Sequence, residues 1–279
     1  MRKGEWAEAM PVSGIECVGI VDACPGGEFA VGSKVAALMG GMGRTINGSY
    51  AEFTNPPATN VCGIKSDLPW EELPALPETY ATAWTCLFRN LDIKKGQLVV
   101  VRGATSSFGQ AALNLAVSAG VRVIATTRNK TRFEILERLG ALGVELEGPG
   151  LSERLKESGE VDAVLNLVGN SVFLDSMKIP KRGGRQCLAG FLGGLAPVQE
   201  FNPLAQLPSD VQFSFFGSFH FGLPQFPLSD IPLEGIARDI AEGRFQAKPS
   251  RVFDFEDIRE AHRVMEANEA NGKLVVRVN

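Results

Sequence analysis

Apolar positions change their spacing twice along this chain, and the changes mark out its elements. Up to about residue 60 they come in short runs of period two, broken by glycine and proline. These are PVSGIECVG at 11–19, Ile20-Val21, the turn Cys24-Pro-Gly-Gly, 34–38, a glycine-rich loop at 39–48, and 49–54. That texture predicts short strands of a small β-barrel-like unit. From Trp70 the pattern becomes helical, chiefly over 75–90. The run 97–102 (QLVVVR) is rich in valine, as expected for a strand buried on both faces. A helix over 110–119 follows, with Ala111, Ala112, Leu115 and Ala116 at helical spacing, then a strand at 121–126. Strand, turn, helix and strand make one βαβ unit with a right-handed crossover. Further strands are expected at 161–168 and 183–191, with a helix at 173–178 between them. The tail predicts helices at 233–242 and 256–269 and a strand at 273–278.

The turn inside the βαβ unit, Gly103-Ala104-Thr105-Ser106-Ser107-Phe108-Gly109, carries the first candidate chemistry. A helix amino terminus offers unpaired N–H groups and partial positive charge, so a pyrophosphate can lie there without a basic side chain. The dinucleotide fingerprint has three glycines; here Ser106 replaces the middle one. An ordinary βα turn of another doubly wound protein is the plainer alternative. At the end of the second strand, an NAD enzyme places an acid about 20 residues beyond the glycines. This chain has Thr127, Arg128, Lys130 and Arg132 there, and its first acid is Glu134. Cations beside threonines suit a 2′-phosphate, which makes NADP(H) the expected cofactor, against the alternative of a solvated helix start. Open α/β sheets bind ligands at strand carboxyl ends, which adds Asn166, Gly169, Gly190 and Phe191.

Composition narrows the setting. The 279 residues are 44% hydrophobic and 22% charged with net charge −4, as in globular proteins without a nucleic-acid surface. No apolar run reaches the roughly 20 residues of a membrane span, and the start lacks a signal-peptide core. Five scattered cysteines make no disulfide framework, so a cytoplasmic setting is expected. The stretch 211–221 begins at Val211 and contains Phe213, Phe215, Phe216, Phe219 and Phe221. It reads as a strand that serves as a homodimer edge or lies beneath a helix.

Several motifs in order resemble the medium-chain dehydrogenase/reductase superfamily, in its zinc-independent quinone oxidoreductase branch. They are Gly14-Ile-Glu-Cys-Val-Gly19 with Val21, Gly32-Ser-Lys-Val35, Gly48-Ser-Tyr-Ala-Glu52, Tyr80-Ala-Thr-Ala83, the turn at 103–112, and Ala261-His-Arg263 with Gly272-Lys273. The resemblance spans essentially the whole chain. It implies an α/β fold: a Rossmann doubly wound parallel sheet beside a GroES-like catalytic domain shortened at its amino terminus. The expected domains are 1–81 and 225–279 for the catalytic part and 82–224 for cofactor binding. Zinc enzymes of the superfamily have G-H-E where this chain has Gly14-Ile15-Glu16, and only Cys62 stands in the structural-zinc region, so no metal is expected. By resemblance, Thr82 contacts the nicotinamide half, Ser106 to Gly109 the pyrophosphate, Thr127, Arg128 and Arg132 the adenosine phosphate, and Lys273 closes over the nicotinamide. Tyr50 and Tyr80 are the candidate proton donors, and Trp6 takes the place of a pocket aromatic. Glu16, His220 and His262 are expected to be structural. The implied function is hydride transfer from NADPH to a quinone or an α,β-unsaturated carbonyl. The alternatives are an enoyl reductase of thioester or polyketide intermediates and an inactive cofactor-binding protein.

Overall fold

The computed structural model describes residues 10–278. Its chain runs β1 (Glu16–Ile20), β2 (Lys34–Leu38), β3 (Val61–Gly63) and α1 (Pro77–Trp84), then alternates β4 (Leu98–Arg102), α2 (Ser107–Ser118), β5 (Arg122–Thr127), α3 (Phe133–Arg138), β6 (Gly143–Leu146), α4 (Leu151–Arg154), β7 (Val161–Asn166), α5 (Phe173–Met177), β8 (Pro180–Leu188), α6 (Pro203–Gln206) and β9 (Gln212–Phe215). It closes with α7 (Leu233–Ala241), β10 (Arg251–Asp254), α8 (Ile258–Glu266) and β11 (Leu274–Arg277). Two compact units result. One is Thr82–Gly217; the other takes the described residues up to Ala81 and those from Ser218 onward.

In the Thr82–Gly217 unit six strands pair in the order β6-β5-β4-β7-β8-β9, all parallel. The order reverses between β4 and β7, where Arg102 pairs with Asn166. This is the doubly wound arrangement, whose ligand crevice lies outside the carboxyl ends at that reversal. Every residue of β4 is buried, as its valines require. Ala111, Ala112, Leu115 and Ala116 of α2 are buried on the helix, while Leu98, Val100, Ile124, Leu151, Leu155, Val161, Val164 and Ile179 form an apolar cluster. Helix α2 begins at Ser107, earlier than its apolar spacing predicts, because Ser106 caps it. Past Trp84 the helix widens into π-turns over Thr85–Asn90, and the Leu91 N–H reaches back five residues to the Cys86 carbonyl at 2.9 Å.

The aromatic stretch is a strand only over Gln212–Phe215. Phe216 makes the last bond to Leu188 O, and after Gly217 the chain turns into a short helical turn at Ser218–His220. Strand β9 is the sheet edge, with Phe213 and Phe215 exposed at 46% and 44% and Phe216 buried. Strand β6, four half-buried residues opening on glycine, carries too little apolar signal to be read from sequence.

In the other unit β1, β2 and β3 form an antiparallel sheet, and β10 pairs in parallel with β11. The strand expected at 49–54 is absent. The N–H groups of Gly48, Ser49 and Tyr50 bond instead to the carbonyls of Val12, Gly14 and Ser13, in a close crossing of two loops. A side chain at Gly48 would strike the backbone of Ser13 and Gly14, so this crossing requires glycine. Asn60 is buried and donates to Leu38 O at 3.1 Å and to Phe221 O at 2.7 Å. Among the described residues, no helix is long and apolar enough to cross a membrane.

Candidate cofactor site

The glycine turn sits at the carboxyl end of β4. Gly103 has φ +81°, a conformation that disfavours side chains. A Cβ on Gly109 would lie 2.5 Å from Ala104 Cα and 2.7 Å from Ala104 C, so only glycine lets α2 start against the turn. Ser106 explains its own presence in the pattern. Its Oγ accepts from Gly109 N at 3.0 Å and donates to Gly103 O at 2.9 Å, closing the turn on itself. Thr105 Oγ1 lies 3.4 Å from Thr127 Oγ1, bringing the turn beside the end of β5.

Beyond β5, residues 128–133 contain no carboxylate. Arg128 is exposed and has no side-chain partner among the described residues. Thr127 is buried and accepts from Asn129 N at 3.3 Å, while Asn129 caps the turn Lys130–Arg132 by accepting from Thr131 N at 2.9 Å. Arg132 is half-buried at the end of that turn.

Asn166 ends β7, Gly169 follows it, and Gly190 and Phe191 follow β8, all at the same sheet end. Asn166 is fully buried and clasps its own turn rather than facing outward. Its Oδ1 accepts from Val168 N and Gly169 N at 3.0 and 2.9 Å, and its Nδ2 donates to Gly169 O at 3.2 Å. A Cβ on Gly190 would come 2.7 Å from Leu167 O, and one on Gly169 would come 3.1 Å from Phe191 Cα. The two loops therefore meet backbone to backbone.

Beneath the turn lies a network that sequence reading missed. Arg102 closes an apolar run, yet its side chain is wholly buried. It ion-pairs with Glu147 (Nε to Oε2, 3.1 Å) and with Asp175 at 2.8 Å, and it donates to Ser176 Oγ at 2.9 Å. Thr126 Oγ1 donates to Glu147 Oε2 at 2.6 Å and accepts from Gly103 N at 3.0 Å. Ser152 Oγ donates to Asp175 Oδ1 at 2.7 Å. A charged residue closing a valine run was the available signal, since a buried arginine demands partners.

The remaining candidates belong to the other unit, save Thr82, which is buried on α1. Lys273 Nζ ion-pairs with Glu16 Oε1 and donates to Thr79 Oγ1 at 3.0 Å, while Glu16 Oε2 accepts from Glu78 N at 2.9 Å in the first turn of α1. Burial opposes the Lys273 ammonium, but the carboxylates of Glu16 and Glu78 outweigh it and hold its pKa above the usual lysine value. Tyr50 is half-buried, edge-on to His262 at 5.6 Å. Burial and then Glu16 push its pKa up, against the pull of Lys273. Tyr80 is buried and stacked on Phe245 at 6.3 Å. His220 lies among Phe219 and Phe226. Trp6 lies outside the described residues.

Burial, and then a neighbouring acid (Glu16 or Glu234), raises the Cys17 and Cys62 thiols from 9.0 to about 11. At pH 8 only about a thousandth of either is thiolate, so a disulfide-exchange reagent is expected to label both far more slowly than a free thiol. Because the folded thiols hold their protons more tightly than unfolded ones, their stabilising contribution is complete below pH 9 and is lost as pH rises toward 11. Thermal melts from pH 8 to 11 are expected to show that decline, and Cys17→Ala with Cys62→Ala to flatten it.

Among the described residues no group of three or more His, Cys, Asp or Glu is placed to hold a metal ion.

Residues 148–276 match the family described as zinc-binding dehydrogenase. Along 97% of its length the chain is 28% identical to a phenolphthiocerol/phthiocerol polyketide synthase of Mycobacterium tuberculosis, of which it spans 12%. It is 25% identical to the Bos taurus quinone oxidoreductase-like protein 2 over 222 residues, 78% of this chain and 63% of that one. A mycobacterial protein solved with NADPH superposes with TM-score 0.83 at 23% identity, covering 100% of this chain and 86% of that one, a likeness of fold. The strand order β6-β5-β4-β7-β8-β9 is that of a doubly wound nucleotide-binding unit. The carboxyl-terminal part of the chain thus matches that dehydrogenase family, and the chain as a whole is similar to quinone oxidoreductase-like and polyketide synthase proteins.

Proposed function

We propose that this protein is an NADPH-dependent reductase that transfers hydride, without zinc, to a quinone or to the activated C=C bond of an α,β-unsaturated carbonyl. The observation that carries the reading is the pairing of a close-packed glycine turn with an exposed Arg128, without a side-chain partner among the described residues, where NAD enzymes place a carboxylate. NADPH, when bound, supplies the hydride. The chain's own residues do the rest. The N–H groups opening α2 receive the pyrophosphate; Arg128, with Thr127 and Arg132, holds the 2′-phosphate; the glycine contacts at 169 and 190 shape the crevice beyond β7 and β8. Thr82 and Lys273 are assigned to the nicotinamide half, Lys273 held in place by Glu16. Tyr50, less buried than Tyr80 and protonated throughout the neutral range, is the assigned proton-holding group.

A second reading, reduction of an enoyl thioester, is favoured by the polyketide synthase relative, which aligns along nearly the whole chain. Separate titrations with NADPH and NADH, then NADPH oxidation with 1,4-benzoquinone, a simple enone and an enoyl thioester, test both. Tighter NADPH binding with turnover of the first two acceptors supports the main reading, and thioester turnover alone supports the second. Binding without turnover supports a cofactor-binding protein without catalysis. Failure to bind either nucleotide overturns all three.

The exposed Phe213 and Phe215 on edge strand β9 support a homodimer in which two edges pair. Phe215→Lys is expected to shift the species seen by light scattering from dimer to monomer without loss of helical signal. A monomeric wild-type chain would refute the pairing.

A further inference from the structure

We infer that Arg102, Glu147 and Thr126 form a buried positioning relay that sets the glycine turn for the pyrophosphate, separately from the Arg128 loop that reads the 2′-phosphate; the inference rests on the dinucleotide-binding reading above. The turn's first amide, Gly103 N–H, is not directed at solvent. It donates to Thr126 Oγ1 at 3.0 Å, and that hydroxyl in turn donates to Glu147 Oε2 at 2.6 Å. A hydroxyl that must accept from an amide and donate to a carboxylate has one orientation, so Gly103 is fixed in direction as well as distance. Glu147 can play this part because Arg102 meets both of its oxygens and is itself anchored at its other end by Asp175 and Ser176. All of these groups except Asp175 are buried, so solvent does not screen or replace the bonds.

The relay fixes the turn at its start, and Ser106 fixes its end through Gly109 N and Gly103 O. Gly103 O therefore meets Ser106 while Gly103 N meets Thr126, and the peptides on either side of the left-handed φ of +81° are both held. Backbone N–H groups that must already point at the pyrophosphate gain affinity when their geometry is set in advance. The segment assigned to the 2′-phosphate touches the turn through Thr127 and Thr105 at 3.4 Å, but the Thr127 side chain bonds to neither the Arg102 nor the Glu147 side chain. Thr126 and Thr127 are adjacent on β5, yet the first bonds inward to Glu147 and the second to Thr105 Oγ1 and Asn129 N.

The relay is a positioning device, so its test separates pyrophosphate from 2′-phosphate recognition. Thr126→Val keeps the side chain's shape and removes only the hydroxyl, and Thr126→Ser restores the hydroxyl. Dissociation constants are measured directly by fluorescence or calorimetry for NADPH and for 2′-AMP, which carries the 2′-phosphate but no pyrophosphate. The expected result is a loss of about tenfold or more in NADPH affinity for Thr126→Val. Affinity for 2′-AMP is unchanged, and Thr126→Ser recovers most of the loss. Unchanged NADPH affinity in a folded Thr126→Val chain overturns the inference and leaves the reductase reading standing. Equal losses for NADPH and 2′-AMP also overturn it, by showing a general loosening of the unit. A wild-type chain that binds no NADPH overturns the reductase reading and the relay with it.

Discussion

Arg102→Met is expected to cost about 3–5 kcal/mol, the usual effect of removing one partner from a buried ion pair. Two carboxylates, Glu147 and Asp175, would lose their shared guanidinium, and Glu147 is only 4% exposed. Against a total stability of about 5–15 kcal/mol that is a large fraction, corresponding to a fall in Tm of roughly 10 °C or more. Circular dichroism melts check it. The companion experiment is the neutralised network, Arg102→Met with Glu147→Gln and Asp175→Asn, which removes the uncompensated charges. It is expected to recover part of the loss. If Arg102→Met alone melts with the wild type, the buried charges are being neutralised by something other than the arginine, and the account of the network is wrong.

Arg128→Ala is expected to lower NADPH affinity by about 10–100-fold while leaving NADH within about twofold, the scale of one or two charge-assisted hydrogen bonds to phosphate. The side chain is exposed and bonds to nothing among the described residues, so its removal leaves no buried group unsatisfied. Stability should therefore stay within about 0.5 kcal/mol of the wild type. Arg128→Asp is expected to go further and prefer NADH, since a carboxylate repels the phosphate and can accept from a ribose hydroxyl. Parallel titrations of both nucleotides are decisive. An equal fall for NADPH and NADH would place Arg128 away from the 2′-position.

Much of the α/β unit was legible because long-range packing there repeats a local pattern. The valine run of β4 and the alanine spacing of α2 state burial directly. The turn was visible too, although its serine looked like a weakened glycine and is a cap that ties Gly103 to Gly109. What sequence hid was partnership across distance. Arg102 meets Glu147 and Asp175, 45 and 73 residues away, and no spacing rule links them. Lys273, matched to a family motif as a nicotinamide contact, has a carboxylate partner 257 positions earlier in Glu16. The strand expected at 49–54 failed for a different reason. Its alternation was real, but the crossing with 12–14 takes the amides a ladder would need. The edge strand was overextended because aromatic residues signal burial and strand alike, and Phe216 and Phe221 are buried while only Phe216 immediately follows the strand.

The loop after β5 stands apart from the buried bonds beneath the glycine turn, and this separation bears on how such proteins change over generations. Substitutions at Arg128 or Lys130 alter an exposed surface with no core contacts to repair. With Arg128 in its proposed role, nucleotide preference can drift there in single steps, each folded and each open to selection. Arg102, Glu147 and Asp175 offer no such path, because any one of them altered alone strands the others. A lineage of these chains should therefore exchange one cofactor for another readily while inheriting the charged triplet as a block.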